Sequence, residues 1–215
     1  FTNSPASYLS FVDLFGNRYA SVSGLIGIAR DQRDSAILTT RGSYTVLTTE
    51  VAGGDLQYYR VGFNHQWYHP LSRTFTLALN ADLGFARRIG DKPVPFFKSY
   101  YAGGPGSVRG YQPYSLGPQD GSGAALGGTR KLVGNAEGQF PVPGVGTDKS
   151  LRLGVFVDAG QIYAASAKLS PSELRFSTGL ALSWSSPFGP LKLSLAQPLN
   201  DKAGIDRVQR LQFTF

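Results

Sequence analysis

The 215-residue sequence contains no cysteine and no methionine, and few of its residues are charged. The absence of cysteine excludes a disulfide framework and a thiolate metal site. Because methionine is also absent, the chain does not begin at a natural start codon, and we expect an internal or C-terminal part of a longer protein. Charged residues make up 16% of the chain, against about 25% in a typical soluble domain. Every apolar run is shorter than the roughly 20 residues of a membrane-spanning helix, and no signal peptide is visible.

The net charge of +7 raises the question of nucleic-acid binding, for which a clustered basic surface is the expected signature. The Lys and Arg residues are instead scattered over alternate strand positions and loop ends. The aromatic side chains fall with the aliphatic ones on the opposite face of the predicted strands. The charge distribution therefore does not predict a nucleic-acid partner.

What the sequence does contain is a period-two alternation of apolar and polar side chains, the signature of β-strands. In the stretch 56–68, Val61 and Phe63 fall on one face while Arg60 and Asn64 fall on the other. The same alternation recurs along the chain. It predicts nine strands, near residues 19–30, 42–52, 56–70, 74–87, 128–140, 150–163, 173–185, 190–198 and 206–215.

The length and the two faces of these strands favour a membrane barrel over a soluble sandwich. Runs of about 9–14 residues exceed the usual 5–6 of globular strands and suit tilted transmembrane strands. The polar face carries Gly, Ser, Thr, Asn and Gln, as a lumen does, and the other carries Leu, Val and Phe with Tyr and Trp near the strand ends. The pattern predicts an all-β fold, an antiparallel transmembrane β-barrel of the outer membrane. A soluble nine-stranded binding module stays an alternative.

Two segments depart from the strand pattern. Residues 1–17 predict a short amphipathic helix in the loop before the first strand, with Ser4 as the N-cap and Gly16 at the end. Residues 87–127 form a long loop, and loops of this length are usually functional or disordered. This loop is rich in aromatic residues, which a solvated linker would not be. At its centre is Arg109, whose guanidinium is always charged and needs an anionic partner.

Four motifs occur in order along the chain. They are DQRD at 31–34 with TRG at 40–42, FKSYYAGG at 97–104 followed by SVRGY at 107–111, FVDAG at 156–160, and WSSPFGPL at 184–191. Together they resemble the BamA family of outer-membrane assembly factors, and more broadly its superfamily with periplasmic POTRA domains. Thr39 stands where the family often has proline. The resemblance covers essentially the whole chain, residues 1–215, as the C-terminal part of a barrel domain.

The resemblance implies a sixteen-stranded barrel that follows POTRA domains, of which this chain supplies the last nine strands. It also implies a function without enzymatic chemistry: nascent outer-membrane proteins are inserted and folded through a lateral seam between the first and last strands. Leu211, Phe213 and Phe215 would lie on the last-strand side of that seam. The implied partners are the lipid bilayer, nascent outer-membrane proteins, accessory lipoproteins and periplasmic chaperones, and the implied location is the outer membrane of a Gram-negative bacterium.

The 87–127 loop looks like the sixth extracellular loop of the family, and the resemblance further implies that this loop folds into the lumen. There the motif Val108-Arg109-Gly110-Tyr111 would be held by acidic residues on the following strands. Alternation places the carboxylates of Glu137 and Asp158 on the lumen face, and an arginine fork binds a carboxylate through two charge-assisted hydrogen bonds. We therefore predict that Arg109 pins the loop to the wall through Asp158 and Glu137.

Other functions and sites remain as alternatives to this interpretation. A two-partner secretion transporter shares the VRGY loop and would export one dedicated substrate. An outer-membrane hydrolase is another alternative, but the serines near glycine in this sequence have no histidine-bearing partner motif. His65 and His69 lie four residues apart on a predicted strand, about 13 Å, which is too far for a shared metal. Gly104 and Gly106 do not have dinucleotide-binding spacing. The sequence predicts neither a metal site nor a cofactor.

Overall fold

A computed structural model describes residues 6–143, 150–187 and 189–214. It contains one α-helix, two single-turn 3₁₀ segments and eleven β-strands within those residues. The helix α1 is Ala6–Phe15, and the 3₁₀ segments are Phe96–Lys98 and Pro171–Glu173. The strands are β1 (Ser21–Asp31), β2 (Gly42–Gly54), β3 (Tyr58–Pro70), β4 (Thr76–Arg88), β5 (Gly110–Tyr111), β6 (Arg130–Pro141), β7 (Leu151–Tyr163), β8 (Arg175–Ser186), β9 (Gly189–Pro198), β10 (Val208–Gln209) and β11 (Leu211–Thr214).

Nine of the strands form one antiparallel sheet in the order β1-β2-β3-β4-β6-β7-β8-β9-β11. Each strand pairs with the next wall strand along the chain, so the sheet has up-and-down topology, with one long connection between β4 and β6. The nine predicted strands are confirmed, and the first eight begin and end within two residues of their predicted bounds. Strand β1 and strand β11 lie at the two edges of the described sheet.

The prediction of one continuous last strand over 206–215 is wrong. Val208–Gln209 leaves the wall and pairs with Gly110–Tyr111 of the long loop, while Leu211–Thr214 stays on the wall beside β9. Arg210 separates the two parts, and its carbonyl accepts the backbone N–H of Ala196 at 2.8 Å. The alternation pattern could not show this, because it is the same whether the strand pairs with the wall or with the loop.

The two faces of the sheet differ as the alternation predicts. Large apolar side chains are exposed on the convex face, and they include Leu79, Leu83, Phe85, Leu132, Val155, Leu180, Trp184, Leu195, Leu211 and Phe213. The opposite face carries polar side chains that hydrogen-bond across strands. Such exposure of many large apolar residues is expected of a surface that meets lipid. In the described parts of the chain, no helix is both long and apolar enough to cross a membrane.

Helix α1 packs at the end of the sheet that carries the long loop. Phe11 is buried against Leu56 and Tyr58, and the ring of Tyr8 stacks on Phe96 of the long loop at 4.1 Å. The helix ends where Gly16 takes a φ of +86°, a conformation that favours glycine. Its end lies within two residues of the predicted bound at 17, and residues 1–5 of the predicted segment, with the predicted cap Ser4, lie outside the described residues.

Candidate functional site

The long loop between β4 and β6 folds back onto the polar face of the sheet. A tight turn at 104–108 brings it to the wall: the N–H of Gly104 donates to the Val108 carbonyl at 3.1 Å, and the N–H of Ser107 donates to the Gly104 carbonyl at 3.0 Å. Gly104 has a φ of +89°, and a Cβ there would lie 3.0 Å from Cα of Pro113. Glycine is therefore required at this position for the turn that aims Arg109.

The structure brings Arg109, Asp158 and Glu137 together. The Arg109 Nε donates to Asp158 Oδ2 at 2.7 Å and its Nη2 to Oδ1 at 2.8 Å, the two-pronged geometry of an arginine–carboxylate pair. Its Nη1 donates to Glu137 Oε2 at 2.5 Å, and its backbone N–H donates to Asp158 Oδ2 at 3.0 Å. The guanidinium also lies 3.5 Å from the ring centre of Phe156, a cation–π arrangement.

This arginine is held in its charged form. Burial alone would lower the pKa of the Arg109 guanidinium, but the hydrogen bonds and charges of Asp158 and Glu137 outweigh burial and raise the pKa above its ordinary value. The Asp158 side chain is 0% exposed and that of Arg109 is 12% exposed. A pair this buried is costly to break, because the remaining partner keeps an uncompensated charge in a poorly solvated place.

The other residues of the VRGY motif pack the loop against the wall. Val108 and Tyr111 are fully buried in a cluster with Leu116, Val133 and Ile162. A Cβ on Gly160, the last residue of the FVDAG motif, would lie 2.7 Å from Cγ2 of Val108. Gly110 has a φ of +89°, and a Cβ there would lie 3.1 Å from Cβ of Ala196. The missing side chain at Gly160 therefore makes room for Val108, and the missing side chain at Gly110 lets the loop approach β9.

The loop has a second ion-pair contact that the sequence analysis missed. Lys98 Nζ donates to Glu50 Oε1 of β2 at 2.6 Å, and the Tyr58 hydroxyl donates to the same oxygen at 2.8 Å. The Tyr100 hydroxyl donates to the Val61 carbonyl at 2.9 Å, and the Arg60 guanidinium lies 4.6 Å from the Tyr100 ring centre. Since Glu50 lies opposite Arg60 in the register, strand pairing could have indicated that this carboxylate has cationic neighbours.

A row of hydrogen-bonded amides crosses the middle of the wall and reaches the loop at Ser107. Asn64 donates to Asn80 at 3.1 Å, Asn80 donates to Asn135 at 2.9 Å, and Asn135 donates to the Ser107 carbonyl at 2.6 Å. These side chains lie side by side on β3, β4 and β6. The loop thus touches β2 and β3 on one side and β6 and β7 on the other, which requires the sheet to curve around it.

The loop also touches the last strand. The Gln212 Nε2 donates to the Tyr111 carbonyl at 2.7 Å, and the Gly110 N–H donates to Gln212 Oε1 at 3.3 Å. The predicted seam residues Leu211 and Phe213 are exposed on the opposite, convex face, and Phe215 lies outside the described residues. Sequence reasoning missed Gln212 because a single polar residue on a lumen face carries no distinguishing signal.

At the end of the sheet away from the loop, the connection between β1 and β2 folds inward. Arg152 of β7 donates to the carbonyls of Thr39 at 2.9 Å and Leu38 at 3.0 Å. Asp34 shapes this connection by accepting the backbone N–H groups of Thr40 at 2.9 Å and Arg41 at 3.1 Å. Burial would raise the pKa of Asp34, but hydrogen bonds from Thr40 and Arg41 lower it. The DQRD–TRG motif is therefore a turn motif.

The two histidines lie apart from this arrangement. His65 Nδ1 lies 2.8 Å from Thr45 Oγ1, and the ring stacks on Phe63. His69 stacks on Trp67. The described residues include no group of three or more side chains that could hold a metal ion.

Comparison with known proteins gives consistent results. A family model described as the Omp85 superfamily domain matches residues 3–215. The outer membrane protein assembly factor BamA of Neisseria meningitidis is 35% identical over 99% of this chain and 32% of its own length. A SAM50-like protein of Schizosaccharomyces pombe is 31% identical over 79% of this chain and 38% of its own length. The crystal structure of BamA from Haemophilus ducreyi lacking POTRA domains 1–3 superposes with a TM-score of 0.85 at 27% identity, over 99% of this chain and 47% of that one.

Proposed function

The chain belongs to the Omp85 superfamily, as its motifs predicted, and we propose that the protein that contains it inserts and folds β-barrel proteins in an outer membrane. Its sheet is the antiparallel barrel wall of a BamA-like fold. The chain spans about a third of the length of the curated relatives it matches, so the activity belongs to the whole protein. The observation that carries the proposal is the buried contact of Arg109 with Asp158 and Glu137 inside this wall.

In this mechanism the loop stiffens one part of the barrel, and the short last strand exchanges partners along its outer backbone edge. Arg109 joins the loop to β6 and β7, and β5 joins it to β10 next to the last strand. Strand β11 pairs with β9 over four residue pairs, whereas β8 and β9 pair over ten. A short edge strand is easily opened and can act as a template for an incoming strand. Leu211 and Phe213 would present an apolar face to lipid during that exchange.

Insertion of this kind needs no bond chemistry, and we assign no catalytic residue and no cofactor. The substrates are nascent outer-membrane proteins, and the bilayer is the medium into which they pass. We place the protein in the outer membrane of a Gram-negative bacterium, with accessory lipoproteins and periplasmic chaperones as partners. The names of the bacterial relatives support assembly, and nothing in them favours the alternative of a dedicated secretion transporter.

The test compares, in the full-length protein, two arginines that each hold an aspartate through a two-pronged pair. Arg109→Lys keeps the charge and loses the fork, so we expect insertion of a model barrel protein into proteoliposomes to fall about tenfold or more. Arg33→Lys is the matched control, because Arg33 also holds a carboxylate through two side-chain hydrogen bonds, to Asp31 at the end of the wall away from the loop, and the Asp31 side chain is exposed; this variant should insert as the parent does. Equal insertion by both variants and the parent would contradict the proposal.

A further inference from the structure

A groove opens at the loop end of the barrel wall, where β4, β6 and the connection after β7 separate. Its volume is about 730 Å³, which is within the range of ligand sites in proteins. Phe85 and Arg87 of β4 form one side, and Arg130 of β6 with Ala165 forms the other. The groove is distinct from the Arg109 site, since none of its lining residues contacts Arg109, Asp158 or Glu137.

The groove lies where the lipid-facing surface ends, at the loop end of the sheet. Phe85 and Leu132 are both 40% exposed on the convex face. Arg130 lies directly opposite Phe85 in the register and two residues beyond Leu132, and Arg87 lies two residues beyond Phe85 on the same face. The ring of Tyr59 lies 5.9 Å from that of Phe85. Aromatic side chains in this position mark the level of the lipid headgroups, which places both guanidinium groups at the height of the headgroup phosphates.

The charge of the groove is not neutralised by the protein. Three arginines line it, Arg87, Arg88 and Arg130, and its lining contains no Asp or Glu in the described chain. Arg130 Nη2 donates to the Ala165 carbonyl at 2.5 Å and Arg88 Nη1 to the Asp91 carbonyl at 2.8 Å, both neutral acceptors. The ion pairs found among the described residues include none of the three. A cluster of cations above an apolar wall is complementary to an anion that carries acyl chains.

We propose that this groove binds a phosphate-bearing lipid of the outer leaflet, the long loop being on the extracellular side as in the resemblance. Arg87 and Arg130 hold the phosphate, since guanidinium groups bind phosphate through paired, charge-assisted hydrogen bonds. The acyl chains lie along Phe85 and Leu132 below it. Basic pockets at the membrane boundary are a recurrent form of lipid-headgroup recognition. The site requires only a barrel embedded in a bilayer, so lipid binding can be tested independently of the insertion activity.

The experiment measures lipid retained by the full-length protein after extraction from nanodiscs, by native mass spectrometry. The nanodiscs contain a zwitterionic phospholipid and either bisphosphorylated lipid A or the same glycolipid without phosphates. We expect the parent to retain the phosphorylated form and to lose the dephosphorylated one. In the double variant Arg87→Gln with Arg130→Gln, retention of the phosphorylated form should fall about tenfold.

Arg73→Gln is the control, because Arg73 is exposed in the short turn at the opposite end of the barrel, and it should retain as much lipid as the parent. Heat-modifiable gel migration confirms that each variant forms a folded barrel. Equal retention of the two glycolipids by the parent would overturn the proposal. So would undiminished retention by a folded double variant, or an equal loss in the Arg73 control.

Discussion

The long loop is anchored to the wall at two places that differ in burial and in chemistry. At Arg109 a rigid five-donor fork meets two carboxylates, with side-chain exposures of 12% for Arg109 and 0% for Asp158. At Lys98 a single ammonium meets one carboxylate, and the lysine side chain is 30% exposed. A buried, two-pronged pair specifies one geometry and is costly to break. The lysine pair is exposed to water only on its cationic side, since the Glu50 side chain is 6% exposed, and a single ammonium on a flexible stem adapts to small movements. We infer that the first anchor sets the position of the loop and the second limits its motion.

The largest effect is expected at the carboxylate of the first anchor. Asp158→Asn keeps the shape of the side chain but leaves the buried guanidinium with Glu137 alone. We expect a loss of about 3–5 kcal/mol in the free energy of unfolding, measured by urea titration of the full-length protein in liposomes. Asp55→Asn is the control, since Asp55 is exposed and accepts the Ala20 N–H at the loop end of the sheet. A loss in the Asp158 variant no larger than in the control would contradict the difference between the anchors.

The next effect tests packing at the same anchor. Gly160→Ala would place a Cβ at 2.7 Å from Cγ2 of Val108, so the loop must shift away from the wall. We expect a cost of about 1–3 kcal/mol, typical of overpacking, together with faster proteolysis of the loop. Gly106→Ala is matched to it, because Gly106 lies in the same loop and a Cβ there would have no neighbour within 4 Å. Equal behaviour of the two alanine variants would mean that Val108 does not hold the loop.

A smaller effect is expected at the second anchor. Lys98→Met removes the charge and keeps most of the aliphatic stem, while Tyr58 and Arg60 still contact Glu50. We expect about 1 kcal/mol or less in the free energy of unfolding, the range of partly exposed ion pairs. Urea titration of this variant alongside the Asp158 variant compares the two losses in the free energy of unfolding directly. A loss as large as that of Asp158→Asn would remove the distinction between the two anchors.

The smallest effect is expected when the pH is raised, which should weaken the Lys98 anchor before the Arg109 anchor. The hydrogen bond to Glu50 is the main cause that raises the pKa of Lys98 above its ordinary value. A raised pKa means that the contribution is fully present below the unfolded value of about 10.4 and is lost as the pH rises through the higher folded value. The pKa of Arg109 is raised from an ordinary value that is already above this range, so its anchor persists. Proteolysis near residues 96–100 should therefore increase at alkaline pH before proteolysis near 104–110.

Lys98→Arg is the control for that titration, because an arginine keeps its charge at these pH values. It should suppress the alkaline increase in cleavage near Lys98. An increase of the same size in the arginine variant would assign the effect to other titrating groups in the protein.

The sequence predicts the first anchor and not the second, and the reason is physical. Alternation places Glu137 and Asp158 on the lumen face, and the motif resemblance implies that the loop carries Arg109 into the lumen. Which wall residue a loop side chain reaches across the lumen depends on the path of the loop, and no periodicity encodes that path. Glu50 and Lys98 are forty-eight positions apart, and they meet only because the loop turns back at Phe96–Lys98.

For the same reason, the sequence did not predict the break in the last strand or the contacts of Arg152 at the opposite end of the barrel. Residues 206–215 do alternate, but the alternation does not say which strand they pair with. Val208–Gln209 pairs with β5 of the loop instead of β9 of the wall. Likewise, Arg152 lies on the predicted lumen face, whereas its bonds to Leu38 and Thr39 depend on the inward fold of the β1–β2 connection. Strand bounds and faces follow from the local pattern, whereas contacts across the lumen follow from the curvature of the wall and the path of the loop.

The central claim is that Arg109 and Asp158 act as one unit that holds the loop on the wall. The most direct measurement is a double-mutant cycle of Arg109→Ala and Asp158→Ala in the full-length protein, read by urea unfolding in liposomes and by barrel insertion. We predict strong non-additivity, with the double variant no worse than the more damaging single variant, since each substitution already removes the shared contact. Additive losses would contradict the claim, because they would mean that the two residues act independently.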